Sequence, residues 1–175
     1  MNDTSEYILP PELIEAARQV IEANRARGKR IAVAESCTGG LVCGALTEIQ
    51  GSSDVLLCGY VTYSNESKMA MLGVSQDVLE TFGAVSIATA WGMAQGALAR
   101  SGADVAVAIT GIAGPEGGTL KKPVGTVVFA RARRGADPNE IVADRKEFGD
   151  LGRGGVRLQA ALCALELLMP VEPSP

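Results

Sequence analysis

The sequence predicts an α/β protein: a three-layer α/β/α sandwich around a mixed, about five-stranded sheet. Three observations carry that expectation. Helical and strand-like segments alternate along most of the chain. Two short apolar runs, 31–34 and 103–110, read as buried strands. Near the carboxyl end, two strand-like segments are joined by the turn GADPN at 135–139. A length of 175 residues, 47% hydrophobic and 21% charged, fits one ordinary globular domain spanning 1–175. No domain boundary, internal repeat or low-complexity segment interrupts it.

Residues 11–27 form the first expected helix, because Leu13, Ala16, Ala17, Val20, Ile21 and Asn24 recur on one helical face, with Gly28 as the stop. The strand 31–34 runs into ESCTGG at 35–40. A second helix then extends to about Ile49, with Ser36 or Thr38 as its cap. GSSD at 51–54 is a turn, 55–63 a buried strand, and 65–72 a short helix with Asn65 as a cap and Gly73 as its end. Ser75 caps another short helix reaching about Thr81. The alanine-rich stretch 86–100 is helical, and its few bulky side chains suit close packing against a neighbouring copy, so a homo-oligomer is expected. The run 103–110 is a central strand. After it come a glycine-rich loop at 111–122, the strand 125–132, its hairpin return at 141–148 and a last amphipathic helix at 156–168. Residues 1–10 and 170–175 are expected to be loose ends.

Charge and composition narrow the function. Sixteen basic against twenty acidic residues give a net charge of −4, which lacks the basic surplus that phosphate-backbone binding requires, so no nucleic-acid partner is expected. No stretch of about 18 apolar residues exists, and the amino end lacks a basic start and apolar core, so the protein reads as cytoplasmic with no membrane partner. Four scattered cysteines with no CxxC pair indicate neither a disulfide framework nor a zinc site. The chain has no histidine. Mechanisms built on Ser-His-Asp or Cys-His are therefore excluded, and Lys, Tyr, a carboxylate, Cys or a hydroxyl must move protons.

Three loops leave the carboxyl ends of expected strands, where ligands collect in open α/β sheets. The first places Ser36 near a helix start, where free N–H groups around Thr38 and Gly39 could hold an oxyanion. Its plainer reading is that Ser36 and Thr38 cap the helix while the glycines close a turn. The second, YSNESK at 63–68, holds Tyr63 and Lys68, the candidates to replace a histidine. Lys68 is a base only if its surroundings lower its ordinary value of about 10.4; otherwise it is a solvated surface residue. The third, TGIAGPEGG at 110–118, is either a ligand-approaching loop or a plain turn, and it is not a P-loop. Lys121, Lys122 and Arg153 stand near it as candidates for a ligand phosphate.

Taken together, AESCTGGL (34–41), VTYSNESK (61–68), LGV (72–74), GAVS (83–86), ITGIAGP (109–115) and KPVGT (122–126) resemble the CinA C-terminal domain family in the same order. The resemblance runs from about Leu13 to Leu168. That family includes the nicotinamide-nucleotide amidases, so the resemblance implies hydrolysis of the carboxamide of nicotinamide mononucleotide, with neither metal nor cofactor. Its nucleophile falls on Ser36, its tyrosine on Tyr63 and its lysine on Lys68, with Lys68 taking the serine proton directly or through Tyr63. Its threonine after the central strand falls on Thr110. Glu35, Thr38, Gly39, Gly40, Asn65, Thr110, Gly111, Ala113, Gly114, Lys122 and Arg153 are the expected oxyanion and substrate-binding residues. Glu35 would orient Lys68 or the pyridinium ring, or form an ion pair. GDLGR at 149–153 departs from the family's Gly-Asp-Arg, so Arg153 or Arg157 takes that arginine's place. Lys121 stands where the family carries an acidic residue. The family is often fused behind a larger nucleotide-pyrophosphatase domain, whereas this chain reads as the amidase domain alone. A nucleotide-binding or assembly module that has lost the chemistry is the alternative, and a Cys37 nucleophile lacks a histidine partner.

Overall fold

A computed structural model describes residues 7–171. Its strands are β1 (Ile31–Glu35), β2 (Leu56–Val61), β3 (Val105–Gly111), β4 (Thr126–Arg133) and β5 (Ala143–Glu147). They form one sheet in the order β2-β1-β3-β4-β5. β1 is parallel to β2 and β3, and β4 is antiparallel to β3 and β5, so the sheet is mixed as the sequence predicts.

The three central strands are mostly apolar, and their apolar side chains alternate in size. Ile31, Val33, Val107, Ile109, Val127 and Phe129 belong to the core under α1 (Pro11–Ala26), α2 (Leu41–Thr47) and α6 (Gly152–Leu168). Ala32, Ala34, Ala106, Ala108 and Ala130 belong to the core under α5 (Ile87–Ser101), where α3 (Asn65–Leu72) and α4 (Gln76–Phe82) add Leu72 and Leu79. Because successive strand residues face opposite sides, this pattern gives α5 a shallow surface on which to lie close. Ala90, Met93, Ala94 and Ala97 fill it. These α5 side chains are thereby buried within the chain.

Most elements fall where expected, and the differences have local causes. α2 starts at Leu41, and neither Ser36 nor Thr38 caps it; Gly40, in a left-handed conformation at φ 97°, stands at its start with no side-chain cap. The Glu35 carboxylate instead accepts from the amides of Val42 and Cys43 at 3.0 and 3.1 Å. Asn65 does not cap α3. Ser64 does, accepting from the Ser67 amide at 3.1 Å while the Ser67 hydroxyl accepts from the Ser64 amide at 3.2 Å. Ser75 and Ser86 cap α4 and α5. α6 begins at Gly152 rather than 156, since contacts of Arg153 and Arg157 hold a first turn that Gly154 and Gly155 would weaken. Ahead of α1, the Tyr7 phenol accepts from Arg18 at 2.9 Å, and the Ile8 amide donates to Glu48 at 3.3 Å. The expectations for 1–6 and 172–175 lie outside the described residues. Among the described residues no helix is long and apolar enough to cross a membrane.

Candidate active site

The parallel strands β1, β2 and β3 deliver three loops to one end of the sheet. Between these loops and the start of α6 lies a cavity of about 280 Å³ lined by Ser36, Cys37, Tyr63, Asn65, Lys68, Ala84, Val85, residues 110–114, Glu116, Gly117 and Arg153. Larger clefts of about 600 and 640 Å³ lie at the far end of the sheet, around Trp91 and Arg134 and around Asn24 and Lys29. Chemistry rather than size singles out the smaller one.

Its centre is a buried amine beside a hydroxyl. Lys68, one turn into α3, is 1% exposed, and Ser36 is 8% exposed. Lys68 Nζ stands 3.0 Å from Ser36 Oγ and donates to the Thr62 carbonyl at 2.8 Å. Burial pulls the amine below its ordinary value of 10.5, countered by the neighbouring Cys37 thiol. A neutral amine donating to a carbonyl keeps a lone pair free for the serine proton. Cys37 lines the same cavity, but burial raises its thiol to about 11, so it is protonated at neutral pH and is a poor nucleophile.

Tyr63 is placed differently from a relay between these two. It is 60% exposed at the mouth, and its phenol accepts from Arg153 at 2.9 Å. The other end of the Arg153 guanidinium donates to the Gly114 carbonyl at 2.9 Å, so this arginine spans the mouth from the β2 loop to the glycine-rich loop. Arg157, one turn further along α6, turns away and donates to the carbonyls of Cys37 and Thr38 at 3.2 and 3.0 Å. Thr110 lines the cavity with its hydroxyl bonded to the Ala84 carbonyl at 2.8 Å. Gly111 is required where it stands: a Cβ there would come within 2.9 Å of the Thr126 carbonyl and 3.1 Å of Cys37 Sγ.

Several expected binding residues lie elsewhere. Glu35 is wholly buried with its carboxylate bonded to α2, so that carboxylate reaches neither Lys68 nor the cavity. Thr38 is also wholly buried, and Gly39 and Gly40 line a separate groove with Leu9 and Arg157. The Gly39 amide donates to the Ser36 carbonyl at 3.0 Å and the Val42 and Cys43 amides donate to Glu35, so those donors are occupied, whereas the Thr38 amide donates to no backbone carbonyl among the described residues. The Cys37 amide donates to no backbone carbonyl among the described residues and is next to Ser36. Lys122 donates to the Phe82 carbonyl at 2.7 Å, outside the cavity. Sequence reasoning did not single out Glu116, Ala84, Val85 or the Thr62 carbonyl. A backbone carbonyl leaves no trace in residue identity, and the 84–85 wall is brought in by the turn before α5.

These features define an α/β protein with a serine and a desolvated lysine in contact at the carboxyl end of a parallel strand pair. The chain belongs to the CinA C-terminal domain family, whose pattern matches residues 14–171. It is 49% identical over 159 residues to the nicotinamide-nucleotide amidohydrolase PncC of Escherichia coli K12, covering 90% of this chain and 93% of that protein. It is 51% identical over 148 residues to a putative competence-damage inducible protein of Symbiobacterium thermophilum, covering 81% of this chain but 34% of that protein, so it spans about a third of that relative's length. The crystal structure of the competence/damage inducible protein CihA from Agrobacterium tumefaciens superposes with a TM-score of 0.87 at 49% identity, over 92% of this chain and 96% of that one.

Proposed function

We propose that this protein is an amidohydrolase acting on nicotinamide mononucleotide, releasing ammonia and nicotinate mononucleotide in cytoplasmic pyridine-nucleotide recycling. The observation that carries the reading is the 3.0 Å contact between Ser36 Oγ and the buried Lys68 amine. The relatives named nicotinamide-nucleotide amidohydrolase, similar over nearly their whole length, supply the substrate.

Lys68 accepts the Ser36 proton as Oγ attacks the amide carbon. The new C–O bond pushes the carbonyl pair onto oxygen, beside the Cys37 amide. When the tetrahedral species collapses, the C–N bond breaks and protonated Lys68 delivers its proton to the departing nitrogen as ammonia. Water then attacks the ester, giving a proton to Lys68. The ester C–O bond breaks, and Lys68 returns the proton to Ser36. Arg153, at the mouth, is the cation placed to take the substrate phosphate. Tyr63 orients Arg153 rather than relaying the proton.

Purified protein incubated with nicotinamide mononucleotide and EDTA should release ammonia and nicotinate mononucleotide, and Ser36→Ala should abolish both. No release from the wild type, or undiminished release from the variant, overturns the reading. Calorimetric binding without turnover, unaffected by Lys68→Ala, points instead to a nucleotide-binding module.

A further inference from the structure

Glu35 adjoins the nucleophile in sequence, yet it lies outside the cavity and is wholly buried. Its Oε1 accepts from the Val42 amide at 3.0 Å and its Oε2 from the Cys43 amide at 3.1 Å. Its backbone carbonyl accepts from the Thr62 amide at 2.8 Å, and the Thr62 carbonyl in turn accepts from Lys68 Nζ at 2.8 Å. One residue is thereby tied on one side to the start of α2 and on the other to the peptide that locates the amine. Ser36 lies between those two anchors.

The intervening turn is held mainly by its neighbours: Arg157 donates to the Cys37 and Thr38 carbonyls, and the Ser36 amide donates to the Ile109 carbonyl at 3.0 Å. Gly39 and Gly40 both take left-handed conformations, at φ 59° and 97°, and no side chain caps α2 from its own start. We propose that Glu35 is a positioning residue whose carboxylate locks the β1–α2 turn so that Ser36 Oγ stays within hydrogen-bond distance of Lys68 Nζ. A carboxylate suits this task because both of its oxygens accept, matching two amide donors. Glutamine has the same shape but presents an N–H₂ group to one of them, so two donors face each other. Glu35 takes no part in proton transfer, because both its oxygens are engaged and neither reaches the cavity. The kinetic half of the test below rests on the amidohydrolase reading; the geometric half does not.

In a crystal structure of Glu35→Gln, the Ser36 Oγ to Lys68 Nζ separation should open beyond the hydrogen-bond limit of about 3.5 Å. A separation unchanged from 3.0 Å overturns the assignment. On nicotinamide mononucleotide, with rates taken per folded enzyme from parallel melts, kcat should fall by about 10- to 100-fold while KM stays within about twofold. The pH limb of kcat should keep its wild-type position. A raised KM with kcat preserved would mean that Glu35 contacts ligand, and a displaced limb would mean that it acts on the proton; either result overturns the proposal. If Glu35→Gln does not fold, Glu35→Asp keeps two acceptor oxygens on a side chain one methylene too short to reach both amides, and the same comparison applies. A wild type without turnover sinks the amidohydrolase reading and leaves the crystallographic separation to decide this one.

Discussion

At Lys68 two requirements oppose each other: the amine must be desolvated enough to lose its proton near neutrality, yet held by bonds that a charged group would also favour. The Thr62 carbonyl and Ser36 hydroxyl satisfy both, since each can pair with a neutral amine. The activity prediction follows from the direction of the shift. A base lowered from 10.5 by burial becomes neutral at lower pH, so the hydrolysis rate should climb with pH and level off below 10.5. Replacing Lys68 by arginine, which stays protonated, should remove the climb and cost about 10²- to 10⁴-fold in kcat, read from a pH–rate series. Tyr63→Phe should behave otherwise. The phenol bonds Arg153 and not the serine or lysine, so losing it removes one hydrogen bond of about 1 kcal/mol. KM should rise several-fold with the pH limb in place. A relay role would instead lower kcat and move the limb, so steady-state constants for this one variant separate the two placements. Much of this site was legible as residue types, because a histidine-free chain leaves few bases and the motif order selects among them. The split between Arg153 and Arg157 was not, because residues four apart share a helix face and only the loops packed against α6 decide which one meets the cavity.

Among the elements, α3 carries the lysine, and its seat against α5 depends on one glycine. A Cβ at Gly96 would run into the Leu72 carbonyl, a backbone group at the end of α3 that cannot rotate aside. Gly59 on β2 faces Cys43 Sγ less closely, and a side-chain sulfur can change rotamer. Gly96→Ala should therefore cost about 2 kcal/mol of overpacking, lowering Tm by about 4–8 °C, and should reduce kcat as α3 withdraws Lys68 from Ser36. Gly59→Ala should cost less than half as much and leave kcat in place; melting curves and turnover of the two variants check the contrast. Periodicity located both helices but not this dependence, because a close helix crossing is a tertiary property that small residues permit without announcing. The cap of α2 was hidden for a related reason. Ser36 and Thr38 are good capping residues in isolation, and a glutamate at the end of a strand is not read as a cap until α2 folds back over β1. Conversely, Ser75 and Gly73 fall where expected because their bonds close within a few residues of chain.

For the molecule as a whole, the buried groups on both sides of the sheet give stability a definite dependence on pH. Lys68 has a lowered value when folded and the ordinary 10.5 when unfolded, so between those two values the unfolded chain holds the extra proton and stability rises with pH. The thiols act in the opposite sense. Cys37 loses its proton at about 9.0 unfolded but at about 11 folded, and burial raises Cys43 as well. Above 9 the folded chain holds those extra protons, and stability falls. The two trends cross because the core that desolvates the base also encloses the thiol beside it: the 31–37 segment puts Cys37 in the same wall as Ser36. Above 9 the thiols should therefore lower the free energy of unfolding, and Lys68 should offset part of that fall between its lowered value and 10.5, with each group's slope limited to about 1.4 kcal/mol per pH unit. Denaturant unfolding at a series of pH values measures this directly. Lys68→Met should remove that offset and steepen the fall, and Cys37→Ser with Cys43→Ser should make the fall shallower. A fall no steeper in Lys68→Met than in the wild type would remove the support that desolvation of Lys68 lends to its role as base.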